Sequence, residues 1–218
     1  MPLSLPQPIT YLITSGETTP RTTPASEDFR QLLALVRAAV YAGVSLIQLR
    51  EKHLRPHTLY ELTARAAEIT GDSPTRLLVN DRADIARAAG ADGVHLAANS
   101  LEPHIIRQAF GTDFLIGVST HTLDQARSAR DLGADFAVLG PIFKTPSKRG
   151  FGPPLGPDKL REAARALAPF PLLALGGVTL ENAHACLRAG ARGIAAIRLL
   201  NDADHLKEIV GAILNGPE

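Results

Sequence analysis

Ala42-Gly43-Val44-Ser45-Leu46-Ile47-Gln48-Leu49-Arg50-Glu51-Lys52 runs from a helix end, through a short apolar strand, to a cluster of polar side chains. Glycine after a helix can take the left-handed conformation that ends it. The apolar run behind it has the length of a buried β-strand. The same junction returns as Ala89-Gly90-Ala91-Asp92, Leu132-Gly133-Ala134-Asp135 and Ala189-Gly190-Ala191-Arg192. Repetition of one helix-to-strand junction suits a repeated βα unit. Outward from it, apolar runs at 9–14, 44–49, 76–80, 93–96, 114–118, 136–139, 171–175 and 193–197 read as strands. Helical patterns follow each in turn, at 27–41, 58–70, 83–89, 103–110, 123–132, 157–167, 180–189 and 203–214. Such alternation predicts an α/β fold with a parallel sheet. Eight units in a chain of this length predict a single (β/α)8 TIM barrel domain over residues 1–218. A doubly wound open sheet is the competing architecture, but it has fewer strands as a rule and a glycine-rich dinucleotide turn after the first. Ser15-Gly16-Glu17-Thr18 lacks that spacing.

The bulk composition narrows the class of function. With 218 residues, 45% hydrophobic and 21% charged, the chain can bury a substantial core. A formal net charge of +1 and a pI near 8.0 argue against a nucleic-acid or membrane partner. The single cysteine, Cys186, excludes an internal disulfide and a cysteine metal cluster, and reads as a small buried side chain on a helix. Residues 1–8 lack the basic start and apolar core of a signal peptide, and no apolar run approaches membrane-spanning length. A cytoplasmic protein is expected.

In such a barrel catalytic groups come from the C-terminal ends of the strands. Side chains alternate along a strand, so Gln48, Arg50 and Lys52 point to one face. An amide, a guanidinium and an ammonium together suit phosphate or pyrophosphate; a charged turn leaving a core strand is the plainer alternative. The third strand ends in Asn80 and Asp81, either a polar mouth or a helix cap. His95 lies within an apolar strand and reads as a hydrogen-bonded core histidine rather than a ligand. Ser119 and His121 share a face after the fifth strand. The longest loop, 142–156, carries Lys144, Thr145, Ser147, Lys148 and Arg149 and reads as a phosphate-grasping lid or a long solvated loop. Gly176-Gly177 after strand seven and Ile197-Arg198 after strand eight match the usual phosphate site of these barrels. Two anion-friendly areas follow, one from Arg50, Lys52 and Lys148 and the other from Gly177 and Arg198. Two phosphorylated substrates, or one phosphorylated at both ends, would explain them. No H-E-x-x-H, G-x-S-x-G or Walker-type spacing is present.

These residues resemble the thiamine-phosphate synthase family, with its thiazole tautomerase (TenI-like) branch. The matching stretches are Gln48-Leu49-Arg50-Glu51-Lys52, Val79-Asn80-Asp81-Arg82, Gly93-Val94-His95-Leu96, Gly117-Val118-Ser119-Thr120-His121, the segment from Gly140 to Lys148, and Leu175-Gly176-Gly177-Val178. They recur in family order across nearly the whole chain. The resemblance implies a (β/α)8 barrel that joins a pyrimidine diphosphate to a thiazole phosphate with Mg²⁺. It implies that Gln48, Arg50, Lys52, Asn80, Ser119 and Lys148 hold the pyrimidine diphosphate. Asp81 would be the Mg²⁺ ligand, and Thr145, Ser147 and Gly177 would receive the thiazole phosphate beside Ile197 and Arg198. Lys52, Ser119, His121 and Lys148 are the expected catalytic groups, and a homodimer is a family-level expectation.

The chain departs from the synthase pattern at two positions. Ala97-Ala98-Asn99-Ser100 stands where synthases carry a glycine, a glutamine and an acidic pair, so Ser100 replaces a Mg²⁺ carboxylate. A neutral hydroxyl is a poorer Mg²⁺ ligand. Arg198 stands where synthases place a serine against the thiazole phosphate. Three readings therefore stay open: a synthase, favoured by the intact cationic set; a metal-free tautomerase, favoured by Ser100, with His121 as proton shuttle; and a non-catalytic ligand-binding or regulatory barrel.

Overall fold

The structure is a computed structural model and describes residues 5–97, 99–145 and 153–216. The strands are β1 (Ile9–Ile13), β2 (Leu46–Leu49), β3 (Arg76–Asn80), β4 (Gly93–Leu96), β5 (Leu115–Thr120), β6 (Phe136–Leu139), β7 (Leu172–Leu175) and β8 (Gly193–Ala196). The helices are α1 (Glu27–Tyr41), α2 (Pro56–Thr70), α3 (Ala83–Ala88), α4 (Pro103–Phe110), α5 (Leu123–Asp131), α6 (Gly156–Leu167), α7 (Leu180–Arg188) and α8 (Leu206–Asn215). The strands pair in chain order, all parallel, and β8 closes on β1, so the sheet is a closed barrel. This is the (β/α)8 TIM barrel that the alternation predicts.

Strand periodicity sorts the core into two layers. Leu12, Ile47, Leu77, Val79, Val94, Ile116 and Ala174 pack outward against the helices. Ile9, Tyr11, Ile13, Leu46, Leu78, Phe136, Val138, Leu173 and Ala195 fill the barrel. The interior needs gaps as well as bulk. A Cβ at Gly117 would lie 2.3 Å from the Phe136 ring and 2.8 Å from His95 Nδ1, so only glycine admits both rings at that level.

The repeated junction does more than end helices. Asp92 Oδ2 accepts from Leu77 N (2.8 Å), and Asp135 Oδ2 accepts from Ile116 N (2.7 Å). Each aspartate thus ties the strand it introduces to the one before it. Arg76 Nη1 and Arg107 Nη2 complete the two carboxylates at 2.8 Å.

Boundaries differ from expectation where backbone chemistry overrides pattern. α2 starts at Pro56, which loses nothing at a first helical turn because that turn's N–H groups have no partner inside the helix. β5 runs on to Thr120 because Ser119 and Thr120 pair with Val138 and Leu139, so Ser119 sits inside a strand. A 3₁₀ turn at Arg198–Leu200 precedes α8, which begins at Leu206 rather than at 203. No helix among the described residues is long and apolar enough to cross a membrane.

Candidate active site

The cationic strand end sits where β2 leaves the barrel. Gln48 is buried, Arg50 is half-buried and Lys52 is exposed. Between them Glu51 is only 3% exposed. Its carboxylate accepts from Thr14 Oγ1 (2.5 Å) and Thr18 Oγ1 (2.6 Å), and Thr14 Oγ1 in turn accepts from Arg50 N (2.8 Å). A buried carboxylate must be hydrogen-bonded. Here that requirement straps the β1–α1 loop to the strand end that carries both cations.

Next along the rim, Asn80 Nδ2 donates to Asp81 Oδ2 (2.9 Å). Asp81 Oδ1 accepts from Ala97 N (3.0 Å) and from the Ser100 hydroxyl. Among the described residues Asp81 is the one non-glycine with a positive φ, at 57°. Backbone strain of this kind persists where surrounding contacts over-determine it, and it clusters at functional sites.

Beneath the rim a polar chain crosses the barrel. Gln48 Nε2 donates to Tyr11 Oη (2.7 Å), Tyr11 Oη lies 3.0 Å from His95 Nδ1, and His95 Nε2 lies 2.8 Å from Ser119 Oγ. Burial pushes the His95 imidazolium pKa down to about 4, against a smaller opposing pull from Asp81, so the ring is neutral near neutral pH. Burial likewise drives the Tyr11 phenol up, and it stays protonated. His121 lies higher on the mouth, where its Nδ1 donates to Gly140 O (2.5 Å).

Across the ring, a cavity of about 410 Å³ is lined by Lys144, Thr145, Gly176, Gly177, Ile197 and Arg198 among others. Arg198 Nη2 donates to Thr145 Oγ1 (3.1 Å). Gly177 has φ 67°, and a Cβ there would stand 2.6 Å from Lys144 O. Asn182 on α7 ties down the turn by donating to Gly177 O (3.0 Å) and accepting from Thr179 N (2.9 Å). The turn is therefore fixed just ahead of the α7 N-terminus, where backbone amides favour an anion. Ser147 and Lys148 lie outside the described residues.

The family model described as thiamine monophosphate synthase matches residues 19–200. The chain belongs to the thiamine monophosphate synthase family. It is 42% identical over 168 residues to the thiamine-phosphate synthase of Moorella thermoacetica, covering 77% of this chain and 80% of that protein. Against the thiamine-phosphate synthase of Chlorobium luteolum it is 38% identical over 207 residues, covering 95% and 92%. The solved structure of thiamine phosphate pyrophosphorylase from Pyrococcus furiosus superposes with a TM-score of 0.77 at 27% identity, covering 95% of this chain and 97% of that one.

For a thiamine monophosphate synthase family member the metal question turns on Asp81. Among the described residues no three His, Cys, Asp or Glu side chains gather to hold an ion. The Asp81 carboxylate has lone pairs left at the open rim, with the Ser100 hydroxyl beside it. That set fits a hard cation sharing its shell with phosphate oxygens and water, which needs one or two carboxylates, and does not fit an all-protein cage.

Of the expected groups, Arg50, Asn80 and Asp81 lie on the β2–β3 arc of the mouth, Gln48 and Ser119 lie below it at the two ends of the polar chain, and Thr145, Gly177, Ile197 and Arg198 line the cavity across the ring. Tyr11 was missed by sequence reasoning. Its signal was a tyrosine at an inward position between Ile9 and Ile13, because a buried phenol needs a partner. The Thr14 and Thr18 clamp on Glu51 was missed too, and no local pattern announces it.

Proposed function

We propose that this chain is a thiamine-phosphate synthase, a transferase that joins hydroxymethylpyrimidine diphosphate to thiazole phosphate and releases pyrophosphate in thiamine biosynthesis. The observation that carries the reading is a pair of anion-receptive areas on opposite arcs of one barrel mouth, β2–β3 and β6–β8, in a member of this family. The bond between the pyrimidine methylene carbon and the diphosphate oxygen breaks, and its electron pair leaves with pyrophosphate. The thiazole nitrogen lone pair then forms the new C–N bond. Arg50 and Lys52 offset the negative charge that builds on the leaving group, a part that the family resemblance also assigns to Lys148. Gln48, Asn80 and Ser119 orient the pyrimidine diphosphate. Thr145, Ser147, Gly177, Ile197 and Arg198 receive the thiazole phosphate. Mg²⁺ held by Asp81 would add positive charge on the pyrophosphate side. The reading takes the chain as one cytoplasmic barrel domain working as a homodimer, which light scattering at assay concentration tests.

Incubation of the purified protein with both substrates and Mg²⁺, resolved by chromatography, is the test. Absence of thiamine phosphate beside a working synthase control would sink the reading. Two observations favour a second reading, a metal-free thiazole tautomerase. Ser100 donates to Asp81 instead of supplying a second carboxylate, and His121 is oriented at the mouth by Gly140 O. Interconversion of the thiazole carboxylate phosphate no faster than without enzyme would remove it.

A further inference from the structure

The polar chain across the barrel has a direction. Tyr11 is fully buried, and its oxygen accepts from Gln48 Nε2 (2.7 Å). The single phenolic proton then has one acceptor among the contacts of that oxygen, His95 Nδ1 at 3.0 Å. If Nδ1 carried the imidazole proton, two donors would face the phenolic oxygen and its own proton would be unpaired in the core. A buried hydroxyl left without an acceptor is strongly disfavoured. With Nδ1 accepting, the neutral ring carries its proton on Nε2, which points at Ser119 Oγ (2.8 Å). The Tyr11 and Phe136 rings flank the imidazole, with centroids at 5.6 Å and 6.1 Å, and the absence of a side chain at Gly117 leaves room for it. Rotation of the ring to exchange its nitrogens would have to disturb both neighbours.

We propose that Tyr11 and His95 are positioning residues that fix the polarity of Ser119, so that its oxygen accepts from His95 and its own proton faces the mouth. The opposite tautomer would reverse this. Ser119 would donate inward and offer the ligand only an acceptor. The site therefore selects a ligand that presents a lone pair to Ser119, either a pyrimidine ring nitrogen or a diphosphate oxygen, and disfavours one that presents N–H there. The identity of that ligand rests on the transferase reading above; the hydrogen-bond direction does not.

Heteronuclear NMR of histidine-labelled protein separates the two imidazole tautomers directly. The wild type should show His95 protonated on Nε2, and an Nδ1–H ring would overturn the proposal. Tyr11→Phe keeps the packing against Phe136 and removes only the hydroxyl. It should give a tautomer mixture and lower kcat/KM for the pyrimidine diphosphate about tenfold, the effect of about one lost hydrogen bond, with KM for thiazole phosphate unchanged. A Tyr11→Phe protein that keeps both the Nε2–H ring and full kcat/KM would also overturn it. Calorimetric titration of Ser119→Ala with inorganic pyrophosphate and with the pyrimidine alcohol identifies the acceptor, since only the probe carrying it should bind more weakly. Equal wild-type and variant affinity for both would reject the outward donor. If the wild type makes no thiamine phosphate, the transferase reading fails while the tautomer spectrum still decides the relay.

Discussion

Gly177 concentrates two constraints in one backbone position. Its φ of 67° lies in the left-handed region, and a Cβ would stand 2.6 Å from Lys144 O and 2.8 Å from Phe143 Cβ. The positive φ alone costs an L-residue about 1–2 kcal/mol, before the clash with the start of the long loop. Gly177→Ala should therefore weaken thiazole phosphate binding at least about tenfold while leaving pyrophosphate binding intact, because the β2–β3 arc is untouched. Calorimetry with each ligand checks this, and equal losses for both would refute the division into two areas. At this scale the sequence was most legible where a residue's role is local. Gly177 and the cations at Arg50 and Lys52 announce themselves by type and place. The partnership of Tyr11 with His95 does not, because the two are 84 residues apart and meet only through the barrel's register.

Elements carry information that no single residue holds. The β1–α1 loop and the end of β2 form one unit through Glu51, whose carboxylate serves Thr14 and Thr18. Glu51→Ala would strand two hydroxyls, at about 1–3 kcal/mol each. It should lower stability and raise KM for the pyrimidine diphosphate together, as read by urea unfolding and initial rates. A change in stability with no change in KM would confine Glu51 to a structural part. At the opposite face, Asp135 joins β5 to β6 and accepts from Arg107, whose other nitrogen serves the carbonyls of Gly111 (3.0 Å) and Phe114 (2.7 Å). Asp135→Ala should cost about 1–3 kcal/mol in unfolding free energy with kcat unaltered, since the catalytic rim lies at the other end of the strands. The Gly-Ala-Asp repeat revealed the junctions but not this use of its aspartates. A sequence repeat marks where a strand begins; which neighbour's N–H the carboxylate reaches follows from strand pairing.

For the whole molecule, burial of His95 makes stability depend on pH. The folded-state pKa is about 4, below the ordinary 6.5, so between those values the unfolded chain binds the extra proton. Stability is then fully present above about 6.5 and is lost as pH falls toward 4, by about 3 kcal/mol in total. Urea unfolding from neutral pH down to about 4.5 should show this slope, and His95→Gln should flatten it. A wild-type midpoint constant over that range would remove the argument. The barrel architecture was legible because helix and strand periods alternate so regularly. The end of β5 was not, because Ser119 and Thr120 look like loop residues until Val138 and Leu139 pair with them.

The rings of Tyr11, His95 and Phe136 have a last consequence. They stop up the barrel across its middle, each fully or almost fully buried. The cylinder has no through-passage there, so whatever reacts at the mouth arrives and departs over a single rim. Two reactants and two products must queue at one doorway.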